Sequence, residues 1–109
     1  MNNEAFEKIV NRQLDVCKNI LNHKGTEYGG IDATEDRLLF FKCAALLQGI
    51  STKEALAGMM IKHTISIYDM CKDSDHSPIE KWNEKITDHI NYLLLLKAIV
   101  SEENNIPEE

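Results

Sequence analysis

Two sets of polar residues recur at i, i+4 and i+7 in segments that are otherwise apolar: Lys62, Ser66 and Asp69 in one, Glu84, Asp88 and Asn91 in the other. At 100° per residue that spacing stacks side chains along one face of a helix. Such a face either meets water or lines a polar site, and in a site Lys62 could contact a phosphate. Each stripe also has a plainer reading. Glu84 suits a solvated helix face, and Lys62 can pair with Asp69 or Asp88 in a structural ion pair. Asp88 suits solvent less well, because Ile86, His89, Ile90 and Tyr92 crowd it and Asp is a mediocre interior helix former. A mid-helix Asp in such company calls for a lysine, a hydroxyl or a metal ion.

Other residues with chemical potential lie outside the two stripes. His23 to Gly30 reads HKGTEYGG and brings three glycines within six residues, beside Lys24, Glu27 and Tyr28. That composition favours positive φ and ends regular structure, as either a tight turn or a ligand-carrying loop. Trp82, the single tryptophan, can stack on a base or fill the end of a bundle. Arg37 and Lys42 are the cations beside Phe40 and Phe41, which read as core. His63 reads as a hydrogen-bonded core histidine, and Met59, Met60 and Met70 as packing or as adaptable pocket lining.

The elements that must position these residues are helices. Phe6, Ile9, Val10, Gln13, Val16, Cys17, Ile20 and Leu21 recur every three or four residues, which predicts an amphipathic helix over 3–23. Asp32 and Glu35 form a capping box that opens a second helix over 34–48, and Gly49 closes it. Ser51 and Glu54 form another box for a third helix over 52–72, apolar on most sides and therefore central. Ser77 as N-cap, Pro78 at the first helical position and Glu80 open a fourth over 78–102, with Ile79, Trp82, Ile86, Ile90, Leu93 and Lys97 as its core stripe. The expected fold is an all-α four-helix bundle in one domain, residues 1–102, followed by a frayed acidic tail over 103–109.

Composition narrows the partners. With 43% hydrophobic and 28% charged residues over 109 positions, the chain is globular and long enough for one modest core. The formal charge is -6, and Glu102, Glu103, Glu108 and Glu109 hold four of those charges, leaving -2 on residues 1–100. Duplex nucleic acid is a poor match, because phosphate binding draws on a dense Lys/Arg surface. The longest apolar runs, such as Leu93 to Leu96, are too short to span a bilayer, and MNNEAFEK lacks the pattern of a signal peptide. Cys17, Cys43 and Cys71 are odd in number and form no C-x-x-C, so they read as small buried residues of a reducing compartment. A cytoplasmic protein is expected.

Read together, KGTEYGG, DRLLFFKCAALLQGIST, ALAGMMIKHTISI and WNEKITDHINYLLLL, from residue 24 to about 98, resemble small phage and prophage proteins. They are similar to the MazG-like all-α nucleoside triphosphate pyrophosphohydrolase superfamily and to nucleotide-modification-associated domains grouped near it. The resemblance implies a helical bundle, usually oligomeric, in which carboxylates on facing helices hold Mg²⁺ against a nucleotide's phosphates. By position, Glu27 and Tyr28 match the loop motif, Phe41 and Lys42 the aromatic-basic pair, Lys62 the lysine of the Met-rich helix, and Asp88 with Tyr92 the last helix. The sequence departs from the superfamily in one respect. The ordered E-x-x-E and E-x-x-D pair is absent, because Glu4 and Glu7 stand alone and Glu84 to Asp88 is one residue longer.

The first expected function is therefore a phage-type nucleotide-binding helical protein, acting as a Mg²⁺-dependent pyrophosphohydrolase or as a binder alone. Lys24, Lys42 and Lys62 would take the phosphates, Glu84 and Asp88 the metal, and Trp82 or Tyr28 the base, with Glu27 in the loop. The alternative is a non-catalytic helical adaptor, which would use its excess of apolar surface to form a homo-oligomer or to bind a protein partner.

Overall fold

Four helices form the all-α fold: α1 (Asn3–Tyr28), α2 (Leu39–Gln48), α3 (Thr52–Met70) and α4 (Ile79–Glu103). A computed structural model describes residues 1–28, 36–72 and 74–105, the side chains of 24–28 excepted, and no strand occurs among them. The capping box of α3 forms: the Ser51 hydroxyl accepts from the Glu54 N–H at 3.2 Å, and the Glu54 carboxylate accepts from the Ser51 N–H at 3.2 Å. Gly49 ends α2 in the left-handed conformation at φ 68°, its N–H reaching back to the carbonyls of Ala45 and Leu46. A side chain there would strain the turn.

Other boundaries depart from expectation. Helix α1 passes through Gly25 to Tyr28, since one interior glycine costs a helix only about 1 kcal/mol relative to alanine. Helix α2 starts at Leu39 instead of 34, and the Asp32–Glu35 box lies outside the described residues. Asp36 leads into it, its carboxylate accepting from the Leu38 N–H at 2.9 Å. Pro78, not Ser77, is the N-cap of α4, because the Ser77 hydroxyl donates to Asp75 instead. Helix α4 continues to Glu103, where the acid expected to start the frayed tail is ion-paired with Lys53 at 3.3 Å, one residue after Glu102 pairs with Lys42.

Side by side the helices run α2, α3, α4, α1, since α3 packs on both α2 and α4, and α1 packs on α4. Helices α3 and α4 are antiparallel: Lys53 meets Glu103 at one end, and the His63 and Tyr92 rings lie 5.1 Å apart further along. Helix α1 runs with α4. The Gln13 amide donates to the Thr87 hydroxyl at 2.8 Å, and Leu21 shares a wall with Leu95, the same offset of 74 residues at both points.

With 10 residues, α2 is about 15 Å long against about 39 Å for α1, and it covers only the end of the bundle where α4 finishes. The core gathers at that end, from Leu38, Phe41, Leu56 and Ile99, with Met59, Tyr92, Leu95 and Leu96 packed around it. The expected core stripe of α4 is overturned, because Ile79, Ile86, Leu93 and Lys97 are exposed while Thr87, Asn91 and Ile99 are buried. The helix carries two apolar stripes, and the α1 and α3 neighbours cover the second.

Large apolar side chains are exposed on α1 (Phe6, Ile9 and Leu14), on the outer face of α3 (Ile61, Ile65 and Tyr68) and at the end of α2 (Leu46 and Leu47). The three cysteines are free, but only Cys17 is buried, and Cys43 and Cys71 are exposed. Among the described residues no helix is long and apolar enough to cross a membrane.

Candidate functional site

Three helical stripes converge on one cleft. Arg37, Phe40 and Phe41 come from the start of α2 and the turn before it, Met59, Lys62 and His63 from α3, and Asp88, Asn91 and Tyr92 from α4. Within each group the spacing is i, i+3, i+4, so each helix turns one face toward the same space. Leu21 of α1 closes one side, and the cleft encloses about 550 Å³, within the range of small-molecule sites. Gly58 lies in the wall, and a Cβ added there would meet nothing within 4 Å.

The wall carries polar groups that the fold leaves without partners. His63 and Asn91 are each 7% exposed, and His63 Nδ1 and Asn91 Oδ1 are buried with no hydrogen bond among the described residues. Buried polar atoms of this kind cost about 1–3 kcal/mol each when unmatched, so two in one cleft wall mark a place where the fold gives up stability. Burial pushes the His63 imidazole below its usual pKa, and the ammonium of Lys62, Lys85 and the ring of His89 push the same way while Asp88 opposes them. At neutral pH the ring is uncharged and has one donor and one acceptor nitrogen to offer.

Lys62 and Asp88 both line the cleft, yet neither is in an ion pair among the described residues. The structural pairings open to Lys62 are thus not made: Asp69 sits outside and binds Lys72 at 3.1 Å. Arg37 donates one N–H to the Leu21 carbonyl at 2.8 Å, which anchors the guanidinium at the rim.

The other expected site residues lie elsewhere. Lys42 stands on the far side of α2, held between the carboxylates of Asp36 and Glu102. Its hydrogen bond is the chief reason Asp36 sits below the usual carboxylate range, and Asp36 and then Glu102 raise the Lys42 ammonium. Trp82 is half-buried six residues before Asp88, about 9 Å back along α4 and outside the cleft wall. Glu84 is exposed one turn before Asp88. The side chains of Lys24, Glu27 and Tyr28 lie outside the described residues.

These positions bear on Mg²⁺. The ion takes near-octahedral oxygen ligands, commonly one or two carboxylates together with phosphates and waters. Among the described residues Asp88 is the one carboxylate in the cleft wall, and no three His, Cys, Asp or Glu side chains gather as a metal cage. This donor set does not make a metal centre of its own.

Sequence reasoning named Lys62 and Asp88 as ligands but gave no binding role to Arg37, His63 or Asn91. The signal for Asn91 was present, because it shares the stripe with Asp88. No protein-family model matches the chain, and neither a curated protein nor a solved structure shows significant similarity to it.

Proposed function

We propose that the cleft binds a nucleotide, in keeping with the resemblance to MazG-like proteins. Lys62 and Arg37 take the phosphates, and the rings of Phe40, Phe41 and Tyr92 give the base an aromatic wall. Asn91 and Asp88 supply polar contacts to the base edge or sugar. The observation that carries this reading is a pair of buried atoms, His63 Nδ1 and Asn91 Oδ1, that are unmatched among the described residues, in the same wall as a lysine and a carboxylate that have no ion-pair partner among them. A site built for packing alone would have matched or removed them. The reading is one of binding, since in-line attack on a phosphoanhydride draws on more fixed negative charge than the described wall contains.

A thermal-shift screen of the four deoxynucleoside triphosphates, with and without Mg²⁺, tests it. At a hundred times the dissociation constant a ligand adds about 2.7 kcal/mol to stability. Lys62→Met should weaken binding at least tenfold, the scale of one charge-assisted hydrogen bond. Gly58→Leu should fill the cleft and abolish the shift without lowering the melting temperature of the free protein. A wild-type chain that none of the four nucleotides stabilises would remove the proposal.

A second reading concerns assembly, and the exposed surface favours it. The chain works as a homo-oligomer, because Phe6, Ile9, Leu14, Leu46, Leu47, Ile61, Ile65, Tyr68 and Ile79 are each more than half exposed, more large apolar side chains than a single chain ordinarily leaves in water.

A further inference from the structure

The cleft is graded in depth. Lys62 and Arg37 are exposed at its mouth, Asp88 is half-buried, and His63 and Asn91 are buried in its wall. Charge belongs where water can reach it, so the phosphates of a nucleotide stay with the two cations. The sugar stands between phosphate and base, which makes the base the part that reaches His63 and Asn91. Two acceptors wait for it on α4. Asn91 Oδ1 is buried without a hydrogen bond among the described residues, and the Asp88 carboxylate has no ion-pair partner among them. The two residues are three apart on one helix, which sets their Cβ atoms about 5–6 Å from each other on the same face.

That spacing fits one chemical group. An amino group on an aromatic ring has two in-plane N–H bonds about 120° apart, and with hydrogen bonds of about 2.9 Å it reaches acceptors about 5 Å from each other. From α3, the His63 ring lies 5.1 Å from that of Tyr92 on α4, and burial keeps it uncharged, so Nδ1 can carry the proton and donate. Beside the amino group of adenine or cytosine is a ring nitrogen with a free lone pair, the acceptor that such a donor needs. In thymine, uracil and hypoxanthine an oxygen replaces the amino group and the neighbouring ring nitrogen carries a hydrogen. We infer that the cleft selects nucleotides of adenine or cytosine, with Asn91 Oδ1 and the Asp88 carboxylate accepting from the amino group and His63 Nδ1 donating to the ring nitrogen. A carbonyl in the same place would set oxygen against two oxygens and leave the buried Oδ1 unmatched. The inference rests on the nucleotide reading and adds to it the class of base.

Calorimetric titration of the full chain with two matched pairs tests it: dATP against dITP, which carries hypoxanthine, and dCTP against dUTP. Within each pair only this edge of the base changes. The amino member should bind more tightly by about tenfold or more. Asn91→Leu should remove most of that preference without lowering the melting temperature of the free protein, since it replaces an unmatched buried polar group with an apolar one of similar size. Asp88→Asn, which turns one accepting oxygen into a donor, should narrow the preference as well, and it carries the test if the first variant unfolds. No binding of any of the four would overturn the nucleotide reading and this inference together. Binding without preference within the pairs, or with the oxo base favoured, would overturn this inference alone, as would a preference that the folded variants keep.

Discussion

The two ends of the bundle are built differently. Where α2 crosses, four helices meet, Leu56 is fully buried, and the ion pairs Lys42–Glu102 and Lys53–Glu103 tie α2 and α3 to the last turn of α4. At the opposite end α1, α3 and α4 are joined without α2, and the contact of α1 is carried by Gln13 on Thr87 and by Cys17. The difference follows from length. A helix of 10 residues cannot shield α3 of 19 and α4 of 25 along their whole length, so one end closes on itself and the other presents Phe6, Ile9 and Ile79 to the surroundings. The cleft lies beside the closed end, where Phe41 and Met59 of its wall also pack in or against the core.

Substitutions at the two ends should reflect this contrast. Leu56→Ala in the closed end should cost about 2–5 kcal/mol, read by urea denaturation, because it empties a fully buried position. Ile61→Ala on the outer face of α3 should change stability by less than about 0.5 kcal/mol in the single chain. Equal losses would show that the closed end is no better packed than the rest. Thr87→Val, which removes the acceptor of the Gln13 amide between α1 and α4, should cost about 1 kcal/mol by the same measurement, and hydrogen exchange should rise first in α1. Lys42→Met should cost less than about 1 kcal/mol, since the Asp36–Lys42–Glu102 group is more than a third exposed and screened, and nucleotide affinity should not change.

The pH response gives the smallest of these effects and bears on the cleft. His63 has a folded-state pKa below its usual 6.5, so the unfolded chain binds the proton more readily. Its contribution to stability is full above that value and declines as pH falls below it. His63→Gln should flatten the melting-temperature profile in that window. A profile unchanged by the substitution would show that the ring is not desolvated.

Much of this architecture is legible in the residues. Ser51 with Glu54 and Gly49 specify their helix ends by local chemistry, and local chemistry is what a sequence displays. The boundaries of α1 and α2 are less legible, because Gly25 is tolerated inside a helix and the residue that leads into α2 is Asp36. The orientation of α4 is illegible for another reason. Ile79, Ile86 and Leu93 make as regular a stripe as Tyr92, Leu95 and Ile99, and periodicity cannot say which of two apolar faces meets the rest of the chain. Cys43 and Cys71 were expected to be buried for the same reason: apolar neighbours in sequence do not fix which side of a helix is covered. Of the polar stripes, Asp88, Asn91 and Lys62 converge on the cleft, while Glu84, one turn from Asp88, and Asp69, two turns from Lys62, turn outward. The choice among them depends on where the neighbouring helix lies, which is tertiary information.

The central claim, a nucleotide held between α2, α3 and α4, is tested most directly by titrating isotopically labelled protein with the nucleotides while following backbone amide resonances. The account predicts saturable shifts concentrated at Phe41, Met59, Lys62, His63, Asp88 and Asn91, weakened together in Lys62→Met. Saturable shifts confined to other surfaces, or none with any of the four nucleotides, would contradict it.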